Sequence, residues 1–409
     1  MVVIEHQEGL YRGEKKPLAT VPLQDASRTA PPRAAAVSAQ VYPMHFANPG
    51  LNSRLPATLP QGPWRIRWQK PLGQHESPLS ILRSADRIVV RFATSWLLFD
   101  NEGKAAGRGS VGPGAIYLDA SPGLLYVPVQ ADILEGRRLA DASLMFQTSI
   151  SHGSTFVFPL IARSGNRMVV VGTEIERFSH TPRPATESTI EFKEFGKPFA
   201  VDEMGMLNSV TRGGTLRVNS PALLAAVQGD AIRFAVPDAL ASISTDLEVR
   251  SACAAKFTPK LMSVDEAGSQ YLIVESGGRT SLWAVAQDCK RFINLALDPR
   301  YGSLVAPPVI GYDHRIYLVS SSYALAVSPE GKVLWERETL ATAAGAGISV
   351  DDKLLVSAGD TLAVLPDTGD PQILARFSGD RLLTYPVLTA HNQILVASKQ
   401  NLYCLEPGM

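Results

Sequence analysis

The feature that most constrains the fold is a repeated unit of short β-rich runs joined by polar turns. Two copies are clearest, at residues 313–319 and 351–356, and each is a polar turn followed by an apolar strand. In the first copy a second strand follows at 323–327, a turn at 328–331, and a third strand at 332–336. Repeats of this kind predict an architecture in which each unit is one supersecondary element packed on its neighbours.

Further copies of the unit occur along most of the chain. Their strand positions are Ile88, Leu125, Met168, Leu224, Leu272, Ile316, Leu354 and Ile394. Successive intervals are 37, 43, 56, 48, 44, 38 and 40 residues, close to the roughly 40–45 residues of a four-stranded propeller blade. The interval of 56 indicates an insertion, for which the run around Pro182, Pro184 and Thr186 is the candidate.

These intervals predict an all-β fold, a single β-propeller of eight four-stranded blades, with seven as the alternative because the middle copies are degenerate. No long apolar pattern with a period of 3.6 residues suggests an α/β fold. The last copy stops at Met409 without a full set of strands. We expect Trp64–Gln69 to pair with the strand at 402–405 and close the ring, because an unpaired sheet edge promotes aggregation.

Residues 1–60 have a different composition from the rest. They contain eight prolines, Pro17, Pro22, Pro31, Pro32, Pro43, Pro49, Pro56 and Pro60. Frequent proline removes backbone donors and favours extended conformations. We therefore divide the chain into an irregular N-terminal extension, 1–60, and a β-propeller, 61–409. The extension either wanders or lies along the surface of the propeller.

Charge and hydropathy bear on partners and location. Lys plus Arg and Asp plus Glu both number 39, so the basic excess typical of nucleic-acid binders is missing. No apolar stretch approaches the roughly 18 residues needed to span a bilayer. The first residues lack the basic and apolar regions of a signal peptide. We expect no nucleic-acid partner, no membrane span and a cytoplasmic location.

The three cysteines are Cys253, Cys289 and Cys404, with no CxxC pair. In a reducing compartment they are expected to be buried free thiols. A Cys253–Cys289 disulfide is the alternative if the protein is exported.

The run 326–336, Ala-Val-Ser-Pro-Glu-Gly-Lys-Val-Leu-Trp-Glu, resembles the pyrroloquinoline-quinone-like (PQQ-like) β-propeller repeat. Residues 42–50 resemble the segment that usually precedes the first strand in that family, and Arg67-Trp68 matches the end of that first strand. The resemblance covers 42–110 and 305–409, with the middle similar only in spacing. It implies that tryptophans pack between neighbouring blades, and the candidates are Trp68, Trp96, Trp283 and Trp335.

The resemblance does not extend to the quinone site of the quinoprotein dehydrogenases in this superfamily. Those enzymes use adjacent cysteines, and this sequence has no Cys-Cys pair and no haem CxxCH. We therefore expect no cofactor, no metal and no quinone-dependent dehydrogenation. The run Gly107–Gly112 matches G-x-G-x-x-G, but it precedes Pro113 and a strand-like segment rather than opening a helix, so a turn between strands is expected instead of a nucleotide site.

No linear catalytic motif stands out, and a non-catalytic protein-binding or assembly scaffold is the predicted function. A partner would bind through residues 1–60 and the rim loops, where propellers commonly bind ligands. The alternative is a hydrolase or lyase with its site at the mouth of the propeller's central channel. The catalytic candidates for that alternative lie in the irregular middle of the chain: His152, His180, Asp202 and Glu203.

Overall fold

The computed structural model describes about three quarters of the chain. The described residues are 4–7, 21–27, 32–33, 53–73, 76–112, 116–119, 123–130, 133–149, 160–164, 167–171, 174–181, 189–194, 197–201, 207–208, 215–218, 224–228, 231–236, 239–244, 249–389 and 391–408. They contain 38 β-strands and one 3₁₀ helix, Pro299–Tyr301. The predicted all-β class is confirmed.

The strands of the first half, in chain order, are β1 Ile4–Gln7, β2 Val21–Pro22, β3 Gln24–Asp25, β4 Trp64–Pro71, β5 Ser80–Arg83, β6 Arg87–Arg91, β7 Ser95–Asp100, β8 Ala105–Ser110, β9 Tyr117–Asp119, β10 Leu124–Gln130, β11 Ile133–Arg138, β12 Leu144–Ser149, β13 Leu160–Ser164, β14 Arg167–Val171, β15 Glu174–Thr181, β16 Thr189–Glu194, β17 Lys197–Val201, β18 Leu207–Asn208 and β19 Thr215–Val218.

The strands of the second half are β20 Leu224–Gln228, β21 Ala231–Val236, β22 Ala239–Ser244, β23 Val249–Ala254, β24 Thr258–Val264, β25 Gln270–Ser276, β26 Arg279–Val285, β27 Lys290–Ala296, β28 Val309–Ile310, β29 Ile316–Val319, β30 Tyr323–Val327, β31 Val333–Glu338, β32 Ala343–Ile348, β33 Leu354–Ala358, β34 Thr361–Leu365, β35 Gln372–Arg376, β36 Val387–Leu388, β37 Ile394–Ala397 and β38 Asn401–Pro407.

The described strands form eight sheets, which we number in chain order. Each is built on an antiparallel meander, so that strands consecutive in sequence are neighbours. Sheets 1, 2, 6 and 7 are β5–β8, β9–β12, β28–β31 and β32–β35. Sheet 3 is β13–β19 with β1, sheet 4 is β20–β23 with β2, sheet 5 is β24–β27 with β3, and sheet 8 is β36–β38 with β4. We call the first strand of each meander inner and the last outer.

Burial explains why the second strand of sheet 6 is apolar throughout and its outer strand is mixed. In sheet 6, every residue of β29 is buried, whereas β31 alternates between exposed and half-buried positions. A strand covered on both faces needs apolar side chains at every position, and an outer strand needs them only on its packed face. The apolar core lies between successive sheets, and one apolar cluster joins sheets 7, 8 and 1.

The predicted pairing of Trp64–Gln69 with the strand at 402–405 is confirmed. Strand β4 pairs antiparallel with β38, and Trp68 lies opposite Cys404. Strand β37 of this sheet also contacts β5 of sheet 1. The first and last sheets are therefore neighbours.

The predicted insertion is confirmed, with one repeat placed differently. Sheet 3 contains the extra strands β16–β18, between β15 and its outer strand β19; residues 182–188 lie outside the described residues. Seven of the eight predicted positions fall on the second strand of a meander. Leu224 instead lies on β20, an inner strand, so the repeat there begins one strand later in the sequence than expected.

The expectation of three free thiols is wrong for two cysteines. Cys253, on β23, and Cys289, in the turn before β27, form a disulfide between sheets 4 and 5. Cys404 is free and buried, and burial raises the pKa of its thiol to about 12. Spacing of 36 residues carried no signal for the bond, because the two outer strands become neighbours only when the sheets pack.

Candidate functional site

Turns between the inner and second strands form one rim of the structure. In sheets 5 to 8 each turn has a residue with positive φ or a glycine at the same place: Gly268, His314, Asp352 and Asn392. His314 therefore corresponds to Asp352 and Asn392. The left-handed backbone conformation at this place, rather than the residue type, defines the equivalence.

Residues 53–59, which we call the lead-in segment, bind the inner edge of sheet 7. Arg54 forms a parallel bridge with Ile348, and the Leu55 amide donates to the Ile348 carbonyl at 2.7 Å. The Val350 amide donates to the Ala57 carbonyl at 3.0 Å. Leu55 and Leu59 are buried in the apolar cluster of sheets 7, 8 and 1. The lead-in segment is thus held at this edge by one β-bridge, further backbone hydrogen bonds and its own apolar contacts.

Arg54 is a buried charged residue of this rim. Its Nε donates to the Ile310 carbonyl at 2.9 Å and its Nη2 to the Gly311 carbonyl at 2.6 Å. Its Nη1 pairs with the Glu266 carboxylate. The side chain is 2% exposed. One guanidinium therefore joins sheets 5 and 6 while its backbone joins sheet 7, and it satisfies its charge on carbonyls and a carboxylate.

A second contact of the N-terminal extension lies on the same rim. The Arg33 guanidinium pairs with Asp352 and donates to the Val350 carbonyl. The His314 imidazole contacts the Pro32 carbonyl through Nε2 at 2.8 Å. Burial raises the pKa of the Asp313 carboxyl, which precedes His314 in the sequence. A hydrogen bond from the Arg315 backbone amide offsets part of that rise. These groups hold residues 32–33 over sheets 6 and 7.

The outer edges of two sheets also carry strands from the extension. Val21 and Pro22 pair parallel with Cys253 and Ala254 of sheet 4. Two residues later, Gln24 and Asp25 pair parallel with Lys290 and Arg291 of sheet 5.

The crossing between these two edges lies over the disulfide. The Leu23 amide donates to the Ala254 carbonyl, and the Gln24 amide to the Cys289 carbonyl, both at 3.0 Å. Leu23 packs on the apolar cluster that contains both cysteines. On sheet 5, Arg291 Nε donates to Asp25 Oδ1 at 2.7 Å and stacks on Trp283. The extension and the disulfide together join sheets 4 and 5.

A cavity of about 850 Å³ lies between sheets 5 and 6, at the rim opposite the lead-in segment. Its wall combines apolar side chains with Arg279, Asp298 and the ion pair of Lys260 with Glu275, whose N–O distance is 3.1 Å. Tyr301 also lines it and donates to Glu336 at 2.6 Å, which raises the pKa of the phenol. The wall therefore offers both charged and apolar contacts to a small molecule.

Of the four predicted catalytic candidates, only His180 lies within the described residues. His152, Asp202 and Glu203 lie outside the described residues. His180 lies in β15, opposite Ile190 of β16, in the enlarged sheet 3.

The four tryptophans predicted to pack between blades all lie in strands of the sheets. Trp68 donates to the Asn101 carbonyl of sheet 1 at 3.1 Å, and Trp335 donates to Asp367 of sheet 7 at 3.0 Å. Trp96 is fully buried and Trp283 is 5% exposed. Trp68 and Trp335 therefore each bridge two neighbouring sheets.

The glycines of the G-x-G-x-x-G run lie on and just after β8, an outer strand, and not in the expected turn. A Cβ on Gly109 would stand 2.6 Å from the Trp96 ring, and one on Gly107 would stand 2.3 Å from Ala142 of sheet 2. Close packing therefore accounts for these two glycines.

Within the described ranges, no group of three or more His, Cys, Asp or Glu could hold a metal ion. The sequence has no adjacent cysteines.

Comparison with known proteins identifies the fold. No protein-family model matches the sequence, and no curated protein matches it. Among solved structures, a europium-containing methanol dehydrogenase is similar over 90% of this chain and 98% of its own, with a TM-score of 0.57 and 8% identity. BamB from Moraxella catarrhalis is similar over 84% of this chain and 99% of its own, with a TM-score of 0.51 and 12% identity. The chain therefore has the PQQ-like β-propeller fold.

Within the part of the chain that the structure describes, no helix has the length and apolarity to cross a membrane.

Sequence reasoning missed the residues that form the lead-in contact, Arg54, Glu266 and the carbonyls of Ile310 and Gly311. An arginine between small and apolar residues at 53–59 was the available signal. Its acceptors are mostly backbone carbonyls, which leave no trace in a sequence.

Proposed function

We propose that this chain is a non-catalytic protein-binding scaffold, built on an eight-bladed PQQ-like propeller whose ring is closed by β4. Eight sheets, with contact between the first and the last, support the blade count and the closure. We further propose the division into an extension, 1–60, and a propeller, 61–409, with Trp68, Trp96, Trp283 and Trp335 packing between blades.

The observation that carries the proposal is that this propeller binds extended polypeptide at four of its sheet edges. The extension supplies β1, β2 and β3 to the outer strands of sheets 3, 4 and 5, and the lead-in segment pairs with the inner edge of sheet 7. Strand addition uses backbone hydrogen bonds for affinity and side-chain contacts for specificity. A partner can use the same chemistry at other edges and rim loops.

The extension is expected to take part in partner binding while anchored at 21–26 and 32–33. The test is affinity purification from source cells of the full chain and of a chain that begins at Ser53. A partner recovered in stoichiometric amount with the full chain, and at lower yield with the shorter chain, supports the proposal. Recovery of the full chain alone refutes the scaffold, and equal yields from both chains refute the role of the extension.

The cytoplasmic location stays a prediction. A disulfide between two sheets is typical of an oxidising compartment. Alkylation of thiols in intact cells, followed by mass spectrometry of Cys253 and Cys289, decides the matter, because a cytoplasmic protein would give both cysteines alkylated.

The second candidate function is an enzyme, a hydrolase or lyase, and the cavity between sheets 5 and 6 is the observation in its favour. Its volume suits a small molecule. Thermal-shift screening of metabolites against the full chain, with Lys260→Ala as the cavity variant, tests this alternative. A ligand that stabilises the wild type and not the variant, and that is consumed on incubation, would establish an enzyme.

A further inference from the structure

The outer strands share one irregularity. In sheets 1, 2 and 4 to 8 the pairing of the third strand with the outer strand shifts by one residue, so that one outer-strand residue is extra. The residue just before the extra one holds the same place in every sheet. We call it the bulge position, and it is Ala105, Leu144, Val249, Arg291, Val333, Ile373 and Ile66 in sheets 1, 2, 4, 5, 6, 7 and 8.

Large exposed aliphatic side chains concentrate at the bulge position. Val333 is 45% exposed, Ile373 40%, Ile66 43% and Leu144 49%. These four come from four different sheets and make up half of the eight large apolar side chains found exposed among the described residues. Leu334, beside Val333, is a fifth on an outer strand. An apolar side chain repeated at one exposed place indicates a surface that becomes covered.

Sheet 5 shows what covers this place. Its bulge residue, Arg291, lies opposite Asp25 of β3 in a parallel register and forms an ion pair with it at 2.7 Å. The Ala26 amide donates to the Arg291 carbonyl at 2.9 Å. The extension thus occupies the bulge position where that residue is charged, and provides a side chain of opposite charge.

Sheets 6, 7 and 8 follow sheet 5 and present Val333, Ile373 and Ile66 at the same place. In the described part of the structure, β31, β35 and β4 are each at the edge of their sheets. Strand β31 is also fixed to sheet 7 by two hydrogen bonds. Trp335 donates to the Asp367 side chain, and Arg337 Nη2 donates to the Asp367 carbonyl at 2.9 Å. Because such an edge is already ordered, it loses little conformational entropy when an added strand binds.

We propose that the outer strands of sheets 6 to 8 bind an extended segment of a protein partner, parallel to the strands, with aliphatic side chains of the partner on Val333, Ile373 and Ile66. The segment continues the path that residues 21–26 take along sheets 4 and 5. The apolar bulge residues select an aliphatic segment, as Arg291 selects Asp25. This inference rests on the proposed scaffold function and specifies its surface.

The test compares two double variants of the full chain. Val333→Lys/Ile373→Lys places charge at two bulge positions. Leu79→Lys/Leu340→Lys is the matched control, because it adds the same charge at aliphatic residues that are 41% and 47% exposed but lie outside the outer strands. Circular dichroism and thermal unfolding establish that both variants fold. Each is tagged and purified from source cells beside the wild type.

We expect partner recovery to fall about tenfold or more for the bulge variant, because binding loses two aliphatic contacts and must desolvate two ammonium groups. The control variant should recover the partner like the wild type. Hydrogen exchange of the wild-type complex should show protected amides in 333–338 and 372–376.

Recovery of the partner with the bulge variant at the wild-type level, or protection confined to rim turns, overturns the inference and leaves the scaffold standing. If the wild type is purified without any partner protein, the scaffold function is refuted and the proposed surface with it.

Discussion

Arg54 shows how a single residue of the lead-in segment secures the rim. It is a buried cation whose partners come from sheets 5 and 6. Its neighbour Leu55 has no exposed surface and accepts a hydrogen bond from Tyr312 at 2.9 Å through its carbonyl. Burying such a leucine contributes about 1.5–3 kcal/mol. The segment is therefore fixed by polar and apolar contacts together.

Arg54→Ala should lower the free energy of unfolding by about 3 kcal/mol or more, because the Ile310 and Gly311 carbonyls lose their donor in a buried place. Arg65→Ala is the control: Arg65 is 58% exposed and pairs with Glu406 at 2.7 Å, and an exposed pair contributes about 1 kcal/mol or less. Urea denaturation measures both. Equal effects would mean that Arg54 is not a buried anchor.

Asp351 gives the rim a dependence on pH. Burial raises the pKa of this carboxyl, but hydrogen bonds from Lys353, the Leu59 amide and Ser349 together hold it below its usual value. A carboxyl with a lowered pKa stabilises the fold above its unfolded pKa, and that contribution disappears as the pH falls through the folded pKa.

Asp351→Asn should therefore be less stable than the wild type at neutral pH, and the difference should shrink once the pH falls below about 4. Urea denaturation at a series of pH values measures it. Asp370→Asn, which changes an exposed carboxyl, should keep the wild-type stability throughout. A difference that stays constant from neutral to acid pH would contradict the role of the Asp351 charge.

At the scale of elements, the disulfide and the strands β2 and β3 form one unit across sheets 4 and 5. The Cys253–Cys289 bond closes a loop with a sequence separation of 36 residues. In the chain-entropy treatment, such a loop contributes about 3–4 kcal/mol.

Cys253→Ala/Cys289→Ala should lose about that much unfolding free energy, because the unfolded chain is no longer constrained. It should also release residues 21–26, so that the amides of Leu23, Gln24 and Ala26 exchange faster. Hydrogen exchange with mass spectrometry measures the release. Reductant should reproduce both effects in the wild type and change nothing in the double variant; an insensitive wild type would show that the bond does not hold the extension.

The strands could be predicted where burial and turn chemistry act together. The sequences of β29, β33 and β37 are apolar except for Ser357 and follow polar turns, so the repeats around them can be recognised in the sequence. Strands β2 and β3 were not predictable, because two-residue pairings made through backbone atoms leave no pattern. Leu224 was assigned to a second strand although it lies on an inner strand, since inner and second strands are equally apolar when both are buried.

At the scale of the whole molecule, eight sheets follow one another in sequence and the first and last are in contact. The pairing of β4 with β38 was predictable, because the last repeat lacked a strand and Trp64–Gln69 supplied one. The rim contacts were not, because they join residues almost 300 positions apart, as in the hydrogen bond from the Leu59 amide to Asp351.

Two truncations test the proposed closure of the ring. A chain that begins at Ser53 keeps the lead-in segment and β4, and should unfold in one cooperative transition. A chain that begins at Leu72 lacks both, exposes the edge of β38, and should aggregate or unfold in a broad transition. Scanning calorimetry measures this, and a cooperative transition for the shorter chain would contradict closure by β4.

The central claim is that this propeller is a protein-binding scaffold, and the most direct measurement is the native mass of the protein purified under mild conditions from its source cells. We expect a mass above that of one chain, with a different polypeptide in stoichiometric amount. A mass equal to one chain, unchanged across the purification, would refute the scaffold function and direct attention to small molecules in the cavity between sheets 5 and 6.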